Sequence, residues 1–292
     1  MNPSIDGLVI VDKEAGWTSH DVVARMRRIA GTRRVGHAGT LDPMATGVLL
    51  LGVNRATRLL GYLSDKSKTY EATIRLGSNT ITDDSEGEVI AQCAAAELAA
   101  VTDEEIVNQI PNFRGVIQQR PSSVSAIKID GKRSYARVRA GEDVVLPERE
   151  VTVYRYEMTP LARTSSYIDL NVTIECSSGT YIRALARDLG AALGVGGHLT
   201  SLRRTAIDSF TLDSAKKISD YEKDFTLMPM VEVARRVFPI RIISDQEREV
   251  LSHGGRLTSN ETDAVTAAIF DDSLIALIEN RLDGAKPVAV FV

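Results

Sequence analysis

Residues 31–47 read GTRRVGHAGTLDPMATG, and both the fold and the chemistry turn on this stretch. It packs four glycines, two adjacent arginines, one histidine and one aspartate into 17 residues. Gly36 and Gly39 permit a partner to approach the backbone closely. Arg33 and Arg34 carry planar forks suited to phosphate. Asp42 precedes Pro43, which disfavours helical backbone at the aspartate and projects its carboxylate from a stiff turn. Glycine-rich loops and Asp-Pro turns are common without function, and it is the basic flank that lifts this one above that background. Gly36-His-Ala-Gly39 also fits the bare G-x-x-G of a KH module, which clamps single-stranded RNA. Four residues leave that alternative standing.

Working outward, residues 19–30 form an amphipathic helix with Ser19 as its cap, Val22, Val23, Met26 and Ile29 as its apolar stripe, and Gly31 as its stop. Residues 7–11 (GLVIV) before it and 47–53 after it read as buried strands. Residues 70–76 (YEATIRL) alternate as a half-buried strand, and 88–90 form another. Thr102 and Glu105 have capping-box spacing. Residues 151–158 and 168–176 look like paired strands, and after Ser177-Ser178-Gly179 a helical period runs over 181–193. Strands therefore come in consecutive runs, which predicts an α+β fold with a mixed, largely antiparallel sheet. Beyond Phe238-Pro239, short strand-like runs separated by Gly and Asn turns predict a small β-rich second unit. The expected division is 1–235 and 238–292.

The chain has 292 residues, 43% hydrophobic and 25% charged, which excludes wholesale disorder, collagen and coiled coil. No apolar run approaches the roughly 18 residues of a membrane span, and no signal peptide is visible. Cys93 and Cys176 cannot make a disulfide framework. A soluble, cytoplasmic protein is expected. The net charge of −4 hides segregation: residues 114–139 hold 7 Lys/Arg against 1 Asp/Glu, whereas 76–113 hold no basic residue and 8 acidic ones. Blocks of opposite sign can build a positive groove on an acidic protein. His20, His37, His198 and His253 show no ligand spacing with one another or with the cysteines, so no metal is expected. Ser19-His20-Asp21 is not a triad, because consecutive residues on a helix do not face one another. There is no Walker A or G-x-G-x-x-G anchor for a nucleotide cofactor.

Residues 36–47 (GHAGTLDPMATG) resemble the signature of the bacterial tRNA pseudouridine synthase B family, whose members isomerise uridine 55 in the T loop. Lys13 with Gly16-Trp17-Thr18-Ser19, then Lys68-Thr69-Tyr70-Glu71-Ala72, then Ser178-Gly179-Thr180-Tyr181-Ile182-Arg183 resemble the family's other blocks in the right order. With residues 120–128 (RPSSVSAIK) and 131–153, the similarity covers nearly all of 7–210. Glu14, Ala38 and Val124 depart from the pattern, and Val124 puts an aromatic contact to RNA there in doubt.

The resemblance implies the pseudouridine synthase fold, with a small C-terminal β-rich PUA-like barrel and a basic RNA-gripping insertion at about 114–149. It implies an isomerisation in which C1′–N1 breaks and C5 joins C1′, with no redox cofactor or metal. One carboxylate is needed, as nucleophile or as base, and Asp42 is the candidate. Arg183 would keep it ionised and aimed. Tyr70 would stack on the flipped uracil and could move a proton. Tyr181 would support the pocket, His37 would help extrude the base, and Lys13 would lie near the pocket floor. Arg33, Arg34, Lys128, Lys132 and Arg133 would contact the backbone of the partner, the T arm of tRNA. No membrane and no obligatory protein partner are expected, and a monomer is. The rival reading is a non-catalytic RNA-binding or tRNA-folding protein using the same groove; a carboxylate among phosphates argues against it.

Overall fold

The computed structural model describes residues 6–122, 128–129, 132–133 and 146–292. Two of its most buried strands are β1 (Gly7–Lys13) and β3 (Thr46–Val53), both largely apolar and buried along nearly their whole length. Such runs suit strands covered on both faces. They pair antiparallel from Gly7↔Val53 to Lys13↔Gly47. The chain between them folds as α1 (Ser19–Ile29) and β2 (Val35–Ala38), and β2 pairs back onto β3.

After α2 (Leu60–Ser64), β4 (Lys68–Leu76) alternates between buried and more exposed positions, as a strand with one covered face does. β5 (Ser78–Thr80) and β6 (Val89–Gln92) form a side ribbon. α3 (Ala95–Ala100) and α4 (Asp103–Gln109) lead to β7 (Gly115–Gln119). Lys128–Ile129 (β8) and Lys132–Arg133 (β9) pair with each other. β10 (Arg149–Arg163), β11 (Ile168–Cys176), α5 (Ile182–Ala192) and β12 (Gly197–Ile207) follow. β13 (Phe210–Thr211), α6 (Ile218–Lys223), β14 (Met228–Pro229) and α7 (Met230–Val237) close the main body.

The main sheet runs β14-β1-β3-β12-β4-β11-β10-β7, with β2 on β3 and β13 on β12. Among the described pairings of this sheet only β3–β12 is parallel, a contact of two residue pairs, Arg203↔Thr46 and Arg204↔Gly47. The α+β class and the mixed, largely antiparallel sheet are thus as expected. Ile182, Leu185, Ala186 and Leu189 lay the apolar face of α5 onto the sheet in the main core.

Several local expectations change. The cap of α1 is Thr18, in a capping box with Asp21, rather than Ser19. Ser19 instead ties the start of the helix to the turn ahead of β3. Its hydroxyl donates to the Leu41 carbonyl at 3.2 Å and accepts from the Leu41 amide at 2.9 Å. The glycine-rich stretch is not all loop, since it contains β2. β12, an 11-residue strand, is absent from the sequence expectations altogether.

In the C-terminal unit, β15 (Ile240–Ile242), α8 (Asp245–Ser252), β16 (Thr266–Phe270), β17 (Ser273–Arg281) and β18 (Gly284–Val290) include a helix that the β-rich reading lacks. Its sheet has the open order β15-β16-β17-β18, and no described pairing joins β15 to β18 into a closed barrel. The unit also shares a core with the main body. Leu274, Leu277 and Phe291 belong to one apolar cluster with Leu8, Ile10 and Phe210.

Candidate active site

Asp42 sits on a turn whose flanks are pinned from three sides. The Ser19 hydroxyl holds Leu41. The Gly16 amide donates to the Pro43 carbonyl at 2.9 Å, and the Lys13 ammonium donates to the same carbonyl at 3.2 Å. The Ala45 amide donates to Asp42's own carbonyl at 3.1 Å. Both neighbours of Asp42 are thus fixed, the kind of mounting a preorganised site needs.

The carboxylate faces a cavity of about 250 Å³ bounded by residues 39–42, by Lys68 and Tyr70 of β4, by Leu202 and Arg204 of β12, by residues 179–183, and by Arg149. Arg183 Nε lies 3.0 Å from Asp42 Oδ2. The Arg183 side chain is 6% exposed and that of Asp42 36%, so the cation is sealed while the carboxylate is open to a substrate. Arg183 has further partners. Its Nη1 donates to the Thr82 carbonyl at 2.8 Å and lies 3.5 Å from Asp84 Oδ2. Buried Asp84 is itself held by the Thr82 hydroxyl at 2.6 Å and the Glu86 amide at 3.0 Å. Glu86 beside them titrates above the usual carboxylate range, chiefly through burial and then through the negative charge of Asp84 and Asp42.

Tyr70 also lines the cavity. Burial pushes its hydroxyl above the ordinary tyrosine value against the counter-pull of Arg204, which hydrogen-bonds it, so the phenol is protonated at neutral pH. Arg204 stands directly opposite Tyr70 in the β12–β4 register. Its fully buried guanidinium donates to the carbonyls of Val48 at 2.7 Å, Gly39 at 3.0 Å and Thr40 at 3.5 Å, tying the turn that carries Asp42 to the sheet. The Lys68 ammonium donates to the Ser64 and Lys66 carbonyls, and burial lowers it to about 8.

The structure therefore brings Asp42, Tyr70, Tyr181 and Arg183 to one cavity. Lys13 lies beneath the turn, not on the cavity wall. Its ammonium donates to the carbonyls of Trp17 at 2.7 Å, Glu14 at 3.0 Å and Pro43 at 3.2 Å, and burial lowers it to about 8 against the pull of Asp42. His37 packs edge-on against His20, ring centroids 5.5 Å apart, with its Nδ1 buried and unpartnered. Burial first, then His20 and Arg204, hold it below the ordinary histidine value. Arg33 and Arg34 are exposed just before β2 and do not line the cavity. The side chains of Lys128, Lys132 and Arg133, and all of Val124, lie outside the described residues.

Sequence reasoning misses Asp84, Lys68, Arg204 and Arg149 as site residues. Asp84 lies in the acidic block, which stands out in the sequence only for its charge. Arg204 is hidden by its neighbour: along a strand Arg203 and Arg204 face opposite ways, and Arg203 pairs with Asp12 at 2.8 Å while Arg204 turns inward.

Known proteins match the chain along its length. Residues 27–182 match the TruB family pseudouridylate synthase N-terminal domain, 183–230 the tRNA pseudouridylate synthase B C-terminal domain, and 238–292 the tRNA pseudouridine synthase II C-terminal domain. A tRNA pseudouridine synthase B of Arthrobacter sp. (strain FB24) is 54% identical, over 98% of this chain and 97% of the relative. That of Thermobifida fusca (strain YX) is 52% identical, over 98% of each chain. Among solved structures, a chain of an H/ACA RNP bound to a substrate RNA containing 2′-deoxyuridine aligns over 98% of this chain and 85% of its own, with a TM-score of 0.72 at 24% identity. A chain of the archaeal box H/ACA sRNP Nop10-Cbf5 complex aligns with a TM-score of 0.69 at 25% identity, over 98% of this chain and 84% of its own.

Proposed function

The chain belongs to the TruB family of pseudouridylate synthases, and from that premise we propose that it converts uridine 55 in the T loop of tRNA to pseudouridine, with Asp42 as the reacting carboxylate. It is an enzyme with the pseudouridine synthase fold; the substrate and the residue roles are the proposal. The observation that carries it is the Asp42–Arg183 pair: a rigidly mounted, reachable carboxylate with a sealed counter-charge, on a cavity that an aromatic ring also lines.

The reaction breaks C1′–N1, turns the uracil and forms C5–C1′, while one proton leaves C5 and one arrives at N1. Product and substrate are isomers, so no electrons are exchanged with a second reactant. Asp42 acts as nucleophile at the sugar or ring, or as base at the sugar. Arg183, 3.0 Å away, balances its charge and aims it. Tyr70 offers a ring for the flipped uracil and a phenol that is protonated at neutral pH. The relatives' name supports tRNA as the substrate. The insertion at 114–149, with 8 Lys/Arg in its sequence, is assigned to gripping the T arm. The unit at 238–292 is assigned a PUA-like role on RNA outside the T arm, with 1–235 as the catalytic domain. It carries 5 Lys/Arg against 9 Asp/Glu, so its contacts are local, with Arg256 and Lys286 as candidates.

The test is incubation with unmodified tRNA and no added cofactor, followed by nearest-neighbour analysis for pseudouridine and mapping of its position. Conversion at position 55 is expected, and none with Asp42→Asn, which should fold and still bind tRNA. Turnover of Asp42→Asn within roughly tenfold of wild type, about 1.4 kcal/mol of barrier, would remove Asp42 as the reacting group.

A further inference from the structure

We propose that Arg149 grips a phosphodiester of the RNA next to the reacting nucleotide and so fixes how deeply the uridine enters the cavity. The proposal rests on the reading of the substrate as RNA. Among the described residues, four cations line the cavity: Lys68, Arg149, Arg183 and Arg204. Three are engaged by the protein. Lys68 donates to two carbonyls, Arg183 pairs with Asp42 and Asp84, and Arg204 donates to three carbonyls. Arg149 differs: its Nε and Nη2 are buried and have no hydrogen-bond partner. Buried donors with unmet valence disfavour the free protein until an acceptor arrives.

Nε–H and Nη2–H lie parallel along one edge of a guanidinium, spaced for two oxygens of one anion. That edge is set in place before any ligand binds. Arg149 opens β10 directly opposite Gln119 of β7. Gln119 clamps the Tyr181 backbone from both ends, its Nε2 donating to the Tyr181 carbonyl at 3.0 Å and its Oε1 accepting from the Tyr181 amide at 2.8 Å. The Tyr181 ring then lies under the guanidinium, 4.4 Å from Cζ to the ring centroid. The shape of the unpartnered edge selects the ligand. A phosphodiester has two non-bridging oxygens to fill it. Uracil offers two carbonyls, but N3–H stands between them and would meet the cation donor to donor.

The experiment is a thermodynamic cycle between protein and RNA, using a T-arm stem-loop with a neutral methylphosphonate at the linkage 5′ of the target uridine and a second stem-loop with it at the 3′ linkage. Wild type, Arg149→Met and Arg149→Lys are compared for single-turnover rate at saturating enzyme and for Kd, after circular dichroism shows that they are folded. We expect about a tenfold loss for wild type at one of the two linkages, a loss of less than twofold at that linkage for Arg149→Met, and partial recovery with Arg149→Lys, which keeps the charge but not the fork. Should Arg149→Met not fold, Arg149→Lys carries the same cycle. Losses that multiply at both linkages, or coupling to a thio-substituted uracil carbonyl instead, would overturn the proposal. If wild type forms no pseudouridine in the unmodified stem-loop, the functional reading fails; the binding arm still decides whether Arg149 meets a phosphate.

Discussion

Arg183 carries a full charge at 6% exposure, and a buried cation is tolerable only when paired. In its proposed role Asp42 alone would be a poor permanent partner, because a carboxylate that reacts must at some stage give up its charge or its position. Asp84, buried and 3.5 Å from the Arg183 guanidinium, is a second counter-charge that takes no part in the proposed chemistry. Asp84→Asn should therefore lower the single-turnover rate by about 10- to 100-fold, roughly 1.4–2.7 kcal/mol of barrier, with Kd for tRNA changed less than about threefold. An unchanged rate would reduce Asp84 to a structural residue. Lys68 gives a pH test. Its folded value is about 8 against 10.5 for the free side chain, so between those values the unfolded chain holds a proton that the folded chain has lost. Stability attributable to Lys68 must then rise with pH through that window. Urea unfolding at pH 7.5 and 9.5 should show wild type gaining about 1–2 kcal/mol relative to Lys68→Met, at up to about 1.4 kcal/mol per pH unit. An equal difference at both pH values would show that Lys68 does not titrate there.

At the level of elements, the legible parts are those whose pattern is local. β11 has the bounds its alternation predicts, and the capping box at Thr102–Glu105 is present. Asp42, Tyr70, Tyr181 and Arg183 are readable because each sits in a short motif. β12 (GHLTSLRRTAI) is invisible because its apolar residues are too sparse for a period of two, and its Arg pair looks like a solvated turn. Only the sheet shows that one of the two arginines is core. The strand's short contact with β3 is where sequence meets site. Gly47 has φ +102°, and a Cβ there would stand 2.1 Å from the Arg204 carbonyl oxygen, which is backbone and cannot swing aside. Gly47→Ala should push β12 off β3 and, through Arg204, disturb residues 39 and 40 next to the catalytic turn. We expect a loss of at least about 2 kcal/mol in urea unfolding, from overpacking and left-handed backbone together, with a reduced rate even where the protein is folded. Wild-type stability would mean that the two strands separate without cost.

For the whole molecule, the turn-rich stretch after Phe238-Pro239 suggests a detachable unit, and a local pattern cannot reveal which apolar face another element covers. Leu274, Leu277 and Phe291 pack into a cluster with Leu8, Ile10 and Phe210 of the main body. Arg55 and Arg58 donate to the carbonyls of Phe291 and Val290, and Arg235 pairs with Asp272 at 2.8 Å. A chain ending at Arg236 would uncover that cluster. At about 1.5–3 kcal/mol per large buried side chain, the three lost residues amount to roughly 5–9 kcal/mol, comparable with the whole stability of a typical domain. Loss of T-arm conversion by such a truncate would then report unfolding, not a missing catalytic part. Leu277→Ala separates the two. It should lower the unfolding free energy by about 2–5 kcal/mol while the protein still unfolds in one transition. Because the residues assigned to catalysis all precede Arg187, its single-turnover rate on a T-arm stem-loop, measured well below the midpoint, should stay within about twofold of wild type. Two separate transitions in the wild-type protein would show that the shared cluster does not couple the units. A large fall in rate for a folded Leu277→Ala protein would show that the C-terminal unit acts on the active site and not only on the stability of the chain that builds it.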